Sequence, residues 1–224
     1  MKRSILCVFA CLIIFNLANG QIRYFKPGKP LTYEFSYQSA SEEEVAAGEI
    51  IITPLDSVWK YDRGQKMVNF RYQFSKRDSS YFQMGEHGIP VRNEMEETTG
   101  YIENDGYFWT HPFRANIFYI TEIAPFPSVF KGNGSVKSKT TLYIRDGWGK
   151  FQGKSKRNYK SRKYNREVAG YEGKNIKEVN MKARHKLGNS TLTLLVVEDL
   201  GIIQMNYVFF NGDTLLVRLK DVDS

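Results

Sequence analysis

Three histidines, His87, His111 and His185, have the broadest chemical repertoire in the chain. None stands at the short spacing from another histidine or carboxylate that metal sites are built on. His87 follows Glu86 in Gly85-Glu86-His87-Gly88, a pair that would need a third ligand from elsewhere in the fold. The acids Glu94, Glu96 and Glu97, with Asp105 beyond them, are the candidates for a hydrolase, whose two carboxylates would have to converge across a cleft. No G-x-S-x-G elbow supports a serine nucleophile. Gly153-Lys154-Ser155 looks like the end of a phosphate-binding loop, but position 148, where that motif requires glycine, is Trp148, and no helical pattern follows. The expected reading is a protein without catalytic residues, metal or cofactor, with a hydrolase on a β scaffold as a minor alternative.

Two other constellations suit binding. Between Arg145 and Arg166 lie Lys150, Lys154, Lys156, Arg157, Lys160, Arg162 and Lys163 against the single acid Asp146, interleaved with Trp148, Phe151, Tyr159 and Tyr164. Cations attract anions without regard to sequence, and aromatics settle at interfaces, so Lys154, Lys156, Arg157, Lys160, Arg162 and Lys163 are expected to contact an anionic surface. The second constellation is Trp109-Thr110-His111-Pro112-Phe113-Arg114, followed by Ala124-Pro125-Phe126-Pro127. Its prolines force an irregular connection, and Trp109, His111, Arg114 and Phe126 are expected to form the lip of a ligand cavity.

The elements that position these groups are legible from pattern. The chain has 224 residues, 42% hydrophobic and 14% aromatic, enough for one sizeable core. Lys2 and Arg3 precede the apolar run Ile5 to Phe15, and Ala18 and Gly20 stand before Gln21, which reads as a secretory signal peptide over Met1 to Gly20 cleaved between Gly20 and Gln21. The run is shorter than the roughly 20 residues of a spanning helix, so contact with a membrane is expected to be peripheral at most. Lipidation at Cys11 is the competing reading. Cys7 and Cys11 both lie in this leader, which leaves Gln21 to Ser224 without a disulfide or a thiolate. The protein is expected to be periplasmic or secreted, and its formal charge of +8 to favour anionic partners other than nucleic acid.

Gln21 to Ser224 reads as one β-rich domain. Val68, Phe70, Tyr72 and Phe74 alternate with polar residues as in a half-buried strand. Similar runs are Leu31 to Tyr37, Glu49 to Ile52, Tyr81 to Met84, Gly100 to Glu103, Tyr107 to Thr110, Ile117 to Glu122, Thr140 to Arg145, Asn175 to Arg184 and Thr191 to Val197. Ile202 to Phe210 and Thr214 to Leu219 form a hairpin around Asn211-Gly212, read as a type I′ turn, and Asn104-Asp105-Gly106 marks another turn. Ser41 and Glu44 make a capping box before Val45-Ala46-Ala47, with Gly48 as a stop, which predicts a short helix. The fold class is all-β: a large curved antiparallel sheet or half-open barrel with one short helix. Asn133-Gly134-Ser135 and Asn189-Ser190-Thr191 match the N-glycosylation acceptor pattern.

The 15 Phe, 14 Tyr and 3 Trp exceed what a two-layer sandwich needs. The leading expectation is a non-enzymatic exported binding protein that holds a lipid or another amphipathic anionic ligand on an aromatic concave sheet face. The alternative is a cell-envelope interaction module that binds a protein or acidic glycan through residues 145–166.

The residues Thr110-His111-Pro112-Phe113-Arg114, Glu122-Ile123-Ala124-Pro125-Phe126-Pro127, Gly147-Trp148-Gly149, Val168-Ala169-Gly170 and the segment from Glu198 to Tyr207 carry a resemblance. Over Tyr107 to Leu219 the chain resembles uncharacterised exported proteins of Bacteroidota that share a W-x-H-P-P-R, E-x-x-P-F-P, Y-G-[FI]-V progression. It departs from them at Phe113, where proline is expected, and in having no cysteine after Gly170. The resemblance implies source and compartment and brings no catalytic residues. At the level of topology the strand pattern also resembles the half-barrel of periplasmic lipoprotein carriers.

Overall fold

The computed structural model describes residues 23–77, 94–113, 124–132, 135–144 and 151–220. The leader with its Gly20–Gln21 junction, Cys11, His87, Arg114, Asn133 and the strands expected at Tyr81 to Met84 and Ile117 to Glu122 lie outside the described residues.

The described residues form twelve strands: β1 (Leu31–Gln38), β2 (Glu44–Trp59), β3 (Asp62–Arg77), β4 (Glu94–Glu103), β5 (Tyr107–Thr110), β6 (Ser128–Phe130), β7 (Ser135–Ile144), β8 (Phe151–Lys163), β9 (Ile176–His185), β10 (Gly188–Val197), β11 (Gly201–Val208) and β12 (Thr214–Leu219). They build one antiparallel sheet in the order β6-β5-β4-β3-β2-β1-β12-β11-β10-β9-β8-β7, which is not closed into a barrel. Each half is a meander of sequence neighbours, and the halves join where β1 pairs with β12, Tyr33 opposite Leu219 and Tyr37 opposite Leu215. Among the described residues no helix is long and apolar enough to cross a membrane.

Alternation sorts the two faces of this sheet. Tyr33, Phe35 and Tyr37 of β1 are buried, as are Val68, Phe70 and Tyr72 of β3, Leu215 and Val217 of β12, and Met205 and Tyr207 of β11. Both halves contribute to one core cluster. Curvature brings them together: the Phe130 ring of β6 and the Tyr159 ring of β8, near opposite ends of the strand order, lie 6.0 Å apart, and at the centre the Tyr33 hydroxyl reaches over β12 to donate to the Ile202 carbonyl at 2.8 Å. The β6 end is tied to β8 and β9 by side chains. Lys177 Nζ donates to the carbonyls of Phe130 and Lys131 at 3.3 and 3.1 Å.

The expected helix at Ser41 to Gly48 is absent, and β2 begins at Glu44 instead. A segment this short gains too few hydrogen bonds to offset helix nucleation, whereas β1 offers a ready ladder. Gln38 pairs with Glu44 and Tyr37 with Ala46. Gly48 is a strand residue lying against β3, where a Cβ would stand 1.9 Å from the Gln73 carbonyl oxygen. The turn before β2 has the Ser39 amide bonded to the Glu43 carbonyl and the Glu42 amide to the Ser39 carbonyl, with Glu42 at φ 66°. The β11–β12 hairpin forms as expected, but its turn repeats this arrangement rather than type I′. The Phe209 amide donates to the Asp213 carbonyl, the Gly212 amide to the Phe209 carbonyl, and within the turn Gly212 alone takes a positive φ, of 92°. This is a type I turn with a glycine bulge, a natural three-residue hairpin loop.

The two turns sit side by side and share one anchor. Asp213, 2% exposed, accepts the Tyr37 hydroxyl at 2.5 Å, the Ala40 amide at 3.0 Å and the Asn211 side-chain amide at 2.8 Å.

Candidate binding surfaces

The aromatic face was the expected seat of an apolar ligand, and its rings occupy it themselves. Tyr33, Tyr72, Tyr101, Tyr207, Phe70 and Phe108 are fully buried. Phe25 packs edge-on against Tyr101 and Phe108 at 5.1 and 4.9 Å, and Phe113 against Phe70 at 5.4 Å. The void between Phe25, Tyr33, Phe70, Phe108, Phe113 and Met205 is about 10 Å³, no more than one water needs. Because the sheet curls, rings from both halves meet, and this void is too small for an acyl chain.

Trp109, His111 and Phe126 come together as the sequence suggested. Their rings lie 4.6 Å (Trp109–His111), 5.6 Å (Trp109–Phe126) and 6.0 Å (His111–Phe126) apart, and Trp59 of β2 joins at 5.3 Å from His111. Each ring is the neighbour of another, so the cluster forms a packed corner where the chain leaves β5. Arg157 completes it, its guanidinium 3.8 Å from the Phe126 ring centre. Arg157 is 3% exposed, and burial lowers its pKa. It therefore departs from the expected anion-contacting surface: on β8 it alternates inward with Ser155 and Tyr159.

The rest of the basic segment does form a surface. Lys154, Lys156, Lys160 and Arg162 occupy the even, outward positions of β8, and β9 presents Lys182 and Arg184 beside them. The register sets Lys156 opposite Arg184, Asn158 opposite Lys182 and Arg162 opposite Glu178. On the other side Asn158 faces Lys137 of β7. Lys163 ends the strand at the rim of a groove. Like charges at opposed positions of neighbouring strands destabilise a sheet, so this lattice costs stability that a polar neutral face would not.

The groove beside it has a volume of about 510 Å³ and lies across β8, β9, β10 and β11, lined by Arg162 to Arg166, Glu178, Asn180, Thr193, Leu195, Gln204 and Asn206. Arg162 grips Glu178, Nη2 donating at 2.9 and 3.2 Å and Nε at 3.3 Å. The Asn180 amide also donates to Glu178, and the Thr193 hydroxyl donates to Asn180 Oδ1 at 3.0 Å. Gln204 and Asn206 continue into a second groove of about 350 Å³ with Ser36, Gln38, Thr214 and Arg218. Arg218 Nε donates to Gln204 Oε1 at 3.3 Å. These polar positions were not picked out in the sequence. Each is the outward member of an alternating strand, and only strand adjacency joins them.

The remaining candidates stay apart. Glu96 is exposed, whereas Glu97 accepts the Tyr72 hydroxyl from the inner face. Successive strand residues point to opposite faces, so the two carboxylates diverge. Asp105 is exposed in its turn. His185 Nδ1 accepts the Leu187 amide at 3.3 Å. Among the described residues no three His, Cys, Asp or Glu side chains converge as metal ligands.

Among the described residues, fold and surfaces define a one-sheet β protein with a packed aromatic core and a basic outward surface on β8 and β9. No family model and no curated protein matches the chain. It is similar to a solved structure from Bacteroides fragilis, described as a candidate exported protein with a YmcC-like fold, at 9% identity over 88% of this chain and 99% of that one, with a TM-score of 0.35. A candidate lipoprotein of Parabacteroides distasonis is similar at 10% identity over 88% and 97%, with a TM-score of 0.38.

Proposed function

We propose that this chain is a non-enzymatic, exported binding protein that holds an anionic partner of the cell envelope against the outward face of β8 and β9. The observation that carries the reading is the register: Lys156 stands opposite Arg184, flanked by Lys154, Lys160, Lys182 and Lys137, with Glu178 already engaged by Arg162. A partner of opposite sign relieves the repulsion these cations impose on one another. The reading is favoured over an acyl-chain carrier because the void between Phe25, Tyr33, Phe70, Phe108, Phe113 and Met205 is about 10 Å³, whereas a groove of about 510 Å³ lies on the polar face.

The test is retention of the purified protein on an anionic glycan matrix as salt is raised. Reversing Lys156, Lys160 and Lys182 to glutamate should shift elution to much lower salt. Reversing the exposed Lys26, Lys29 and Arg63, which changes net charge equally, should shift it far less. Equal shifts would mean that net charge alone governs retention, and the proposal would fail.

A further inference from the structure

Building on that reading, we infer that the groove across β8 to β11 is a subsite for an acidic oligosaccharide, a linear glycan bearing carboxylates, with its charges met by arginines and its hydroxyls by the amide and hydroxyl floor.

The groove is made for hydroxyls rather than for charge alone. Asn180, Thr193, Gln204 and Asn206 line its floor on three neighbouring strands. Each amide offers a donor and an acceptor in one plane, the pairing that adjacent hydroxyls of a sugar ring satisfy. The floor is also held in place. Glu178 fixes both Arg162 and Asn180, and Asn180 in turn accepts from Thr193, so side-chain rotation is restricted before a ligand arrives. Asn206 and Arg166 make no side-chain hydrogen bond or ion pair among the described residues, which leaves them available. Tyr164 supplies a ring at the same wall.

The arginines suit a polymer rather than a single sugar. Arg162 and Arg166 stand at one end of the groove, and Arg218 of β12 lines its continuation. With strands about 4.8 Å apart, β8 and β12 are about 19 Å apart across the sheet, so a bound chain would meet cations at both ends of a neutral, hydrogen-bonding middle. An apolar ligand would leave this floor desolvated without partners. An anion without hydroxyls would use the arginines and ignore the amides.

Calorimetric titration with three probes separates the possibilities: a short oligogalacturonate, an oligoglutamate of equal charge and a neutral malto-oligosaccharide. Oligogalacturonate should bind tightest. Asn206→Ala and Thr193→Val remove no charge and should each weaken its binding about fivefold to tenfold, the effect of one hydrogen bond, while oligoglutamate binding stays within about twofold of wild type. Oligoglutamate bound as tightly as oligogalacturonate, or Asn206→Ala without effect on the sugar, would overturn the subsite and leave the basic-face reading standing. Failure of wild type to bind either polyanion at low salt would overturn both.

Discussion

Replacing Lys156 with glutamate should produce a protein that is more stable and binds less well. Lys156 and Arg184 are register partners, and Lys139 of β7 holds the position on the other side. Directly opposed side chains have Cβ atoms about 5 Å apart, where each like or unlike pair changes stability by about 0.2–1 kcal/mol. Turning the Lys156–Arg184 repulsion into attraction spans two such steps, but both residues are exposed. Solvent and salt screening hold the gain to about 0.5–1 kcal/mol. Lysine and glutamate are similarly poor strand formers, so backbone preference is close to neutral. In a domain of this size, 1 kcal/mol corresponds to about 2–4 °C in melting temperature. Thermal and urea unfolding at low salt should therefore show the variant above wild type by about 1–4 °C, with the gap closing at high salt. Retention on the anionic matrix should weaken and lose about one unit of salt dependence. A variant that melts below wild type at low salt would refute the idea that this face is electrostatically strained for binding.

Asp213→Asn turns one carboxylate oxygen of the shared turn anchor into a donor, so that either the Ala40 amide at Oδ1 or both Tyr37 and Asn211 at Oδ2 lose their acceptor. The expected loss is about 2–4 kcal/mol in urea unfolding, and a change below about 0.5 kcal/mol would contradict the anchor. Glu42→Gly should raise stability by about 0.5–1 kcal/mol, because Glu42 holds the left-handed conformation that Gly212 takes at the same place in the neighbouring turn; an unchanged melting curve would argue against that strain. Burial, then the charge of Glu103, pushes the phenols of Tyr24 and Tyr101 up to about 12 from an ordinary 10. Their contribution is complete below pH 10 and drains away between pH 10 and 12, so stability should fall across that window. Absorbance titration should show these phenols ionising only with unfolding.

The strands that were plain in the sequence are those whose two faces differ in polarity. Val68 to Phe74 announces its buried side by alternation alone, whereas Thr214 to Leu219, with Leu215, Leu216 and Val217 in a row, is marked by the Asn211-Gly212 turn before it. β8 does not, because Arg157 and Lys156 look alike in sequence although one stacks on Phe126 inside and the other meets solvent. The capping box at Ser41 and Glu44 was a true local preference overruled by β1, whose Ser36 hydroxyl bonds Glu44 at 2.8 Å. The aromatic residues divide between faces: Phe108 packs on Phe25, while its strand neighbours Tyr107 and Trp109 pack on Phe130 and Phe126. What no single strand shows is that the sheet curls until Phe130 of β6 meets Tyr159 of β8. The groove was hidden for a related reason: the register shift after Leu195 helps set which side chains of β10 stand beside Gln204, and a bulge of that kind leaves little trace in composition.

The pairing of β1 with β12 bears on how the molecule comes into being. Among the described residues every other ladder joins sequence neighbours, so each half-sheet can zip up locally as its strands emerge. β1 is made first among the strands and must keep one edge open until the last strand arrives. Over that interval Tyr33, Phe35 and Tyr37 lack the partners that later cover them, and the open strand edge is exposed to pairing with other chains. Completion of the sheet thus waits on the last strand, and a chain stopped short of Thr214 lacks the ladder that joins its two halves.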